Sequence, residues 1–139
     1  MLPLRPVKKQ MESMIRSLIV VGLGSFVGGG LRFLLSGLAK QYIHHPFPLG
    51  TFVVNILGCL AIGLFYGCFE RGHILHPDLR LFLTVGVCGG FTTFSTFMNE
   101  NLQLLKGEQF LWMALYAAFS LLLGLLAVWA GYALVKAWG

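Results

Sequence analysis

The stretch from residue 89 to residue 100 constrains the fold of this chain more than any other. It reads Gly-Gly-Phe-Thr-Thr-Phe-Ser-Thr-Phe-Met-Asn-Glu and directly follows an apolar run, residues 79–88. If this run crosses a bilayer, glycines and polar groups fall near the middle of the hydrocarbon, where every unpaired backbone N–H or C=O is costly. Such an interruption is stable only against other protein segments or a water-filled path. We therefore predict a membrane helix that breaks at Gly89-Gly90.

The composition of the chain also indicates a membrane protein. Hydrophobic residues make up 57% of it and charged residues only 11%, whereas soluble domains carry about 25% charged residues. The apolar residues fall in blocks of about 20, the length that crosses a hydrocarbon core of about 30 Å. We predict an all-α membrane protein whose third helix is broken near its middle. The four predicted transmembrane helices cover residues 16–39, 49–69, 79–101 and 110–138.

The basic residues predict how the chain is placed in the membrane. Residues 1–13 form a polar, basic tail ahead of a four-helix transmembrane domain, residues 14–139. An even number of spans puts both termini on one side, and the excess of Lys and Arg at that end predicts a cytoplasmic location. That end carries Arg5, Lys8, Lys9, Arg16, Arg71, Arg80 and Lys136, and the other carries Arg32, Lys40 and Lys106. A translation start at Met11 or Met14 would leave four against three, an orientation that is nearly unspecified.

The sequence offers no candidates for catalysis or for metal binding by side chains. Three cysteines, an odd number within apolar runs, are interpreted as packing residues rather than a disulfide framework. The pairs His44-His45 and His73-x-x-His76 are too sparse for a metal site. We find no nucleophile, base and acid grouping, so we expect no enzyme, and the basic residues indicate membrane topology rather than nucleic-acid binding.

Two polar residues in the apolar blocks have alternative interpretations. Asn55 shares a helix face with Cys59, Gly63 and Gly67 at spacings of four. Its amide either makes an interhelical hydrogen bond or lines a polar path. Arg32 either extends its charge to the membrane interface or places it in a vestibule, where it would concentrate anions.

The interrupted stretch places aromatic rings beside hydroxyl groups. Phe91, Phe94 and Phe97 recur every three residues and alternate with threonines and a serine. Aromatic rings have positive edges, so rings presented edge-on beside amide and hydroxyl donors replace part of the hydration shell of a small anion. They do so without a full positive charge that would trap the ion. Ordinary core packing is the alternative for the rings. Backbone carbonyls freed by the break would suit a hard monovalent cation between subunits.

Three segments carry a resemblance to a known family. The segments are residues 89–97, residues 48–58 (Pro-Leu-Gly-Thr-Phe-Val-Val-Asn-Ile-Leu-Gly) and residues 28–33 (Gly-Gly-Gly-Leu-Arg-Phe). With them the chain beyond its tail resembles the Fluc (CrcB) family of fluoride channels. The resemblance implies an antiparallel, dual-topology homodimer with two pores in the bacterial inner membrane. It also implies passive export of cytoplasmic fluoride and a structural sodium ion at the dimer interface.

The resemblance also implies roles for individual residues. Phe94 and Phe97 would line the fluoride path with the amide of Asn55. Main-chain carbonyls of Gly89 and Thr92 would bind the sodium ion. The hydroxyl-bearing motif would supply Ser95 and Thr96, the polar track beyond the rings would consist of Glu100, Tyr116 and Ser120, and Arg32 would lie near the vestibule.

Two other functions are weighed against a fluoride channel. Dual-topology four-helix dimers of this size also act as proton-coupled multidrug-type exporters of organic cations, which need a carboxylate embedded in the membrane. No Asp or Glu occurs in residues 13–69, and Glu100 lies late in the third segment, which disfavours this function. A small packing subunit is the third possibility, but it gives no reason for hydroxyl groups between phenylalanines.

Overall fold

Four long helical stretches make up the structure, a computed structural model that describes residues 6–74 and 76–138. Within those residues every regular element is helical. The elements are α1 (Val7–Tyr42), α2 (Leu49–Glu70), α3 (Pro77–Leu81), a π-helical segment (Phe82–Cys88), α4 (Gly89–Phe91), α5 (Phe94–Lys106) and α6 (Phe110–Trp138). The elements from α3 to α5 form the third stretch, and all four stretches are long and apolar enough to cross a membrane. The predicted all-α, four-span fold is confirmed.

The first helix is longer than its sequence pattern predicts. It begins at Val7 rather than at residue 16 and ends at Tyr42, so residues 7–13 of the predicted tail are helical. The start is explained by Pro6, which cannot continue a helix in the N-terminal direction, and by Lys, Gln, Met and Glu, which are good helix formers. Residues 1–5 of the tail lie outside the described residues.

The predicted break at the glycine pair was wrong. Gly89 and Gly90 are helical, and Gly89 has φ −63° and ψ −38°. Extended dihedral angles occur instead at Thr92 (φ −87°, ψ 149°) and Thr93 (φ −145°, ψ 120°). Gly90 serves close packing, since a Cβ atom there would lie 2.8 Å from the carbonyl oxygen of Ser25 in α1. The absent side chain thus lets two backbones meet rather than ending the helix.

Close contacts at glycines hold the helices together in two groups. α2 packs mainly along α6, and α1 packs on the π-helical segment and α4. A Cβ atom at Gly63 would collide with the carbonyl oxygen of Val128, and one at Gly131 with that of Leu60. Gly24 and Gly28 of α1 also approach backbone atoms of the third stretch closely, so these two glycines serve helix packing. Lipid gives no hydrophobic drive for helix association, so backbone approach of this kind supplies the attraction.

Ion pairs join the helix ends that carry the two termini. Arg16 of α1 pairs with Asp78 of α3 at 2.6 Å, and Lys136 of α6 pairs with Glu70 of α2 at 2.8 Å. The start of α1, the end of α2, the start of α3 and the end of α6 therefore lie at the same end of the bundle. We refer to it below as the terminal end.

A methyl group at Gly28 should destabilise the chain. The Cβ atom of Gly28→Ala would lie 2.9 Å from the backbone nitrogen of Phe91 and closer still to the carbonyl oxygen of Val87. Backbone atoms cannot rotate away, so we expect a loss of about 3 kcal/mol in the free energy of unfolding, at the upper end of overpacking costs. Unfolding in detergent would measure it. Gly22→Ala on the same helix is the control, because its Cβ would meet nothing within 4 Å. Equal losses would contradict the packing described here.

Candidate functional site

The side chain of Asn55 holds the extended backbone of Thr93 in place. Its Oδ1 accepts a hydrogen bond from the N–H of Thr93 at 2.9 Å, and its Nδ2 donates to the carbonyl oxygen of Thr93 at 3.3 Å. One amide thus satisfies both backbone groups of a residue that has left the helix, which is necessary in a medium without water. The Thr93 N–H is turned away from the carbonyl of Gly89, its partner in an unbroken helix.

Thr93 also starts the next helix. Its Oγ1 accepts from the N–H of Thr96 at 3.2 Å and lies 3.2 Å from the Thr96 hydroxyl. This is an N-cap, in which a side-chain oxygen pairs with one of the free N–H groups at a helix start. The hydroxyl of Ser95 lies 3.5 Å from the same oxygen. Three hydroxyl groups are therefore clustered at the start of α5.

Removal of the Thr93 hydroxyl should weaken this helix start. Thr93→Val keeps the shape of the side chain but loses the cap, and we expect the free energy of unfolding to fall by about 1 kcal/mol. Thr93→Ser retains the hydroxyl and is the control. If valine and serine gave the same unfolding curve in detergent, the hydroxyl would not be a cap.

A cleft of about 290 Å³ opens beside the extended residues. It brings together the predicted residues Asn55, Thr92, Phe94, Phe97 and Ser120. The ring centroids of Phe94 and Phe97 are 6.0 Å apart with an angle of 39° between the planes. Phe97 is buried, whereas 74% of Phe94 is exposed on the single chain. The cleft thus combines an amide, three hydroxyl-bearing side chains, since Thr93 also lines it, and two rings from three helical stretches.

Two buried hydroxyl groups of α6 lie near the two rings of α5. Tyr116 is fully buried, and its ring centroid lies 4.9 Å from that of Phe97. Among the described residues, neither its hydroxyl nor that of Ser120 has a partner with hydrogen-bond geometry. The two residues are four apart, so they share a helix face. Unpaired buried hydroxyl groups are uncommon and call for an explanation such as a bound water or ion.

A second cavity lies at the end of the bundle opposite the terminal end. Its volume is about 400 Å³, and its lining includes Lys40, Thr51 and Glu100. The Thr51 hydroxyl donates to Glu100 Oε1. Glu100 therefore lies apart from the cleft, on a later turn of α5. Thr51 was not among the predicted residues, although it is one helical turn before Asn55 and shares its face.

The remaining predicted residues lie outside the cleft. Arg32 is half-buried in α1, and its Nε is buried without a hydrogen-bond partner in the part of the chain described. Gly89 is exposed on the single chain, while Thr92 is half-buried and its hydroxyl donates to the carbonyl of Cys88 at 2.9 Å. Cys59, interpreted from sequence as a packing residue, contributes to the lining of the cleft.

These features define a small multi-pass membrane protein with polar donors in its interior. A family model described as "CrcB-like protein, Camphor Resistance (CrcB)" matches residues 19–132. Because this match covers more than half of the chain, the chain belongs to the CrcB family.

Several relatives of this chain share one name, which is that of a channel. "Fluoride-specific ion channel FluC" of Flavobacterium psychrophilum is 44% identical over 122 residues, which cover 88% of this chain and 98% of the relative. The protein of that name from Nitratidesulfovibrio vulgaris is 47% identical over 117 residues, or 84% and 94% of the two chains. The one from Phocaeicola vulgatus is 49% identical over 117 residues, or 84% and 96%. These relatives are named as channels and not as enzymes, in agreement with the expectation from the sequence.

Proposed function

We propose that this protein is a fluoride-selective channel. The observation that carries the proposal is the pair of unpartnered buried hydroxyl groups, Tyr116 and Ser120, next to the ring of Phe97 and the cleft that contains Asn55. Hydrogen-bond donors without partners suit a small anion that passes and does not stay. The names of the relatives support fluoride as that anion and favour a channel over the proton-coupled exporter.

The path offers donors that are polar but uncharged. A carboxamide has two N–H donors, and Asn55 gives one of them to the Thr93 carbonyl, which leaves the other for an ion in the cleft. The positive edges of Phe94 and Phe97 add a weaker attraction. The hydroxyls of Ser120 and Tyr116 then follow along α6, and those of Ser95 and Thr96 stand at the start of α5. Each group replaces part of the hydration shell, and none binds a halide strongly enough to prevent its release.

The cavity that contains Lys40, Thr51 and Glu100 is proposed as the vestibule at one end of this path. Lys40 is the cation that would attract the ion into it. Arg32 is proposed to serve the vestibule as well, since its unpartnered Nε leaves a donor for an anion or for water. Glu100 is held by Thr51, which leaves the carboxylate in a fixed place beside the polar track.

We propose that two copies form an antiparallel homodimer with two pores. Phe94 and Gly89 are exposed on the single chain, and a ring in the middle of an ion path needs a second surface to enclose it. The third span is proposed to act as a broken helix whose interruption, at Thr92 and Thr93, meets the other subunit.

The dimer interface is proposed to hold a sodium ion. The residues fit such an ion, because the Gly89 carbonyl has lost its helical donor to Asn55 and carbonyl oxygens suit hard cations. Gly89 and Thr92 of each subunit would supply four oxygens, and the ion would hold the subunits in register. Exchange of sodium for a large organic cation should therefore favour monomers in a measurement of mass in detergent.

Passive flow through such a channel would export fluoride. The weak acid enters a cell and dissociates at the higher internal pH, so the anion accumulates and leaves down its electrochemical gradient. Liposomes that contain the purified protein and are loaded with potassium fluoride should release fluoride to an ion-selective electrode when valinomycin is added. Vesicles loaded with potassium chloride should release far less chloride. Fluoride release no faster than from empty vesicles would reject the proposal.

A further inference from the structure

The start of α1 extends beyond the region that the family model matches. The family match begins at residue 19, but α1 is continuous from Val7. At about 1.5 Å per residue, residues 7–18 add about 18 Å of helix at the terminal end. We call these residues the α1 extension.

One face of the α1 extension is cationic and hydroxyl-bearing. Lys9, Ser13, Arg16 and Ser17 fall at positions i, i+4, i+7 and i+8, which share a helix face. Two carboxylates lie next to this face. Asp78 pairs with Arg16 at 2.6 Å, and Glu12 lies one turn before Arg16. Among residues 6–74 and 76–138, neither Lys8 nor Lys9 takes part in an ion pair, so two lysines stay available for an anion.

An apolar groove runs beside this face. It has a volume of about 570 Å³ between α1 and the start of the third stretch, and Ser13 and Ser17 form its polar edge. Its apolar wall includes Met14, Leu18 and Leu81, of which Met14 and Leu18 are each 70% exposed. A single feature therefore combines an apolar slot with cations and hydroxyl groups along one edge.

The groove and its cationic edge lie at the depth of a bilayer boundary. Charged residues at helix ends lie at the membrane interface, so the Arg16–Asp78 and Lys136–Glu70 pairs mark its level at the terminal end. Lys9 is seven residues before Arg16, about 10 Å further out along the helix. The polar headgroup layer extends about 5–8 Å beyond the hydrocarbon on each side. Leu18, inward of Arg16, therefore lies at the level of acyl chains. The backbone of Lys9 lies just beyond the headgroup layer, and its long side chain extends back to the level of the phosphates.

We propose that the α1 extension binds an anionic glycerophospholipid. One acyl chain lies in the groove against Met14, Leu18 and Leu81. The phosphate lies between Lys9 and Arg16, and Ser13, which lies between them on the same face, donates to its oxygens. A zwitterionic headgroup would bring its own ammonium group towards these cations, so an anionic headgroup is preferred. This inference does not depend on fluoride conduction.

Thermal unfolding of the full-length protein in neutral detergent tests the proposal. Dioleoylphosphatidylglycerol should raise the Tm by about 4 °C more than dioleoylphosphatidylcholine does. The double variant Lys8→Gln/Lys9→Gln should lose at least half of this difference and keep its Tm without lipid. The control is Lys40→Gln/Lys106→Gln, which removes two charges at the opposite end and should keep the full difference.

Three results would overturn the proposal. The first is an equal response of the wild type to both lipids, and the second is an equal loss in the two double variants. The third concerns Met14→Trp, which fills the groove. If it lowered the oligomeric mass and left the lipid response intact, a second copy of the chain would occupy the groove instead. Fluoride release from liposomes, measured in parallel, is a separate readout, so a failed channel and a failed lipid site are distinguishable.

Discussion

Fluoride release should fall by on the order of 100-fold or more when Asn55 is changed to Asp. A carboxylate keeps an oxygen to accept from the Thr93 N–H, but its second oxygen faces the Thr93 carbonyl, to which Nδ2 now donates. It also places a negative charge beside the path of an anion. Two unit charges of the same sign about 4 Å apart repel by about 4 kcal/mol at an effective dielectric constant of about 20, and about 1.4 kcal/mol is a tenfold effect.

The matched control for this variant is Gln41→Glu. It is the same change from amide to carboxylate on an exposed residue near the end of α1, and we expect release close to that of the wild type. Both variants should first be shown to keep the oligomeric mass of the wild type. Release that is unchanged in Asn55→Asp would remove Asn55 from the path, whereas equal losses in both variants would indicate a general effect of charge.

The second large effect is expected from Phe94→Ile. Isoleucine preserves an apolar side chain but has no ring edge, and ring-edge contacts contribute about 0.5–1.5 kcal/mol. We therefore expect fluoride release to fall by about tenfold. Because 74% of the Phe94 side chain is exposed on the single chain, the free energy of unfolding of a subunit should hardly change. A large loss of transport without a loss of stability separates a role in the path from a role in the core.

Phe26→Ile provides the matched control for the ring. Phe26 is 82% exposed on α1, so the same substitution there removes a ring of similar exposure that is remote from the cleft. Its fluoride release should match that of the wild type. If Phe94→Ile conducts as well as Phe26→Ile, the Phe94 ring is an ordinary apolar surface residue and the proposed path is wrong.

The helix faces that border the cleft were predictable because helix periodicity is regular. The spacing of four between Asn55, Cys59, Gly63 and Gly67 predicted a face of small residues, and this face meets α6, where Gly63 lies against Val128. Tyr116 and Ser120, which the resemblance to the family implied, are four residues apart on α6 and share a face there. The helix and the face on which a residue lies can therefore be read from sequence, whereas the role of that residue in transport stays a prediction.

The exact position of the irregular backbone was not predictable in the same way. Glycine is compatible with both a helix break and a close contact between helices. At Gly90 the backbone of α1 lies so near that the glycine serves a close contact. The interruption instead falls at Thr92 and Thr93, where Asn55, far away in sequence, satisfies the freed backbone groups. Threonine is a common N-cap residue, but local propensity does not show which of the neighbouring glycines and threonines leaves the helix, because the partner of the freed backbone groups lies in α2.

The amino-acid sequence by itself determined that four apolar helices cross a membrane and that the third carries an unusual polar stretch. It did so because length, hydropathy and helix period are local properties. Only the tertiary structure decided which backbone groups leave the helix, which hydroxyl groups are buried without partners, and that Thr51 holds Glu100. These depend on contacts between helices, where one donor from a distant segment determines whether a backbone carbonyl is paired or free.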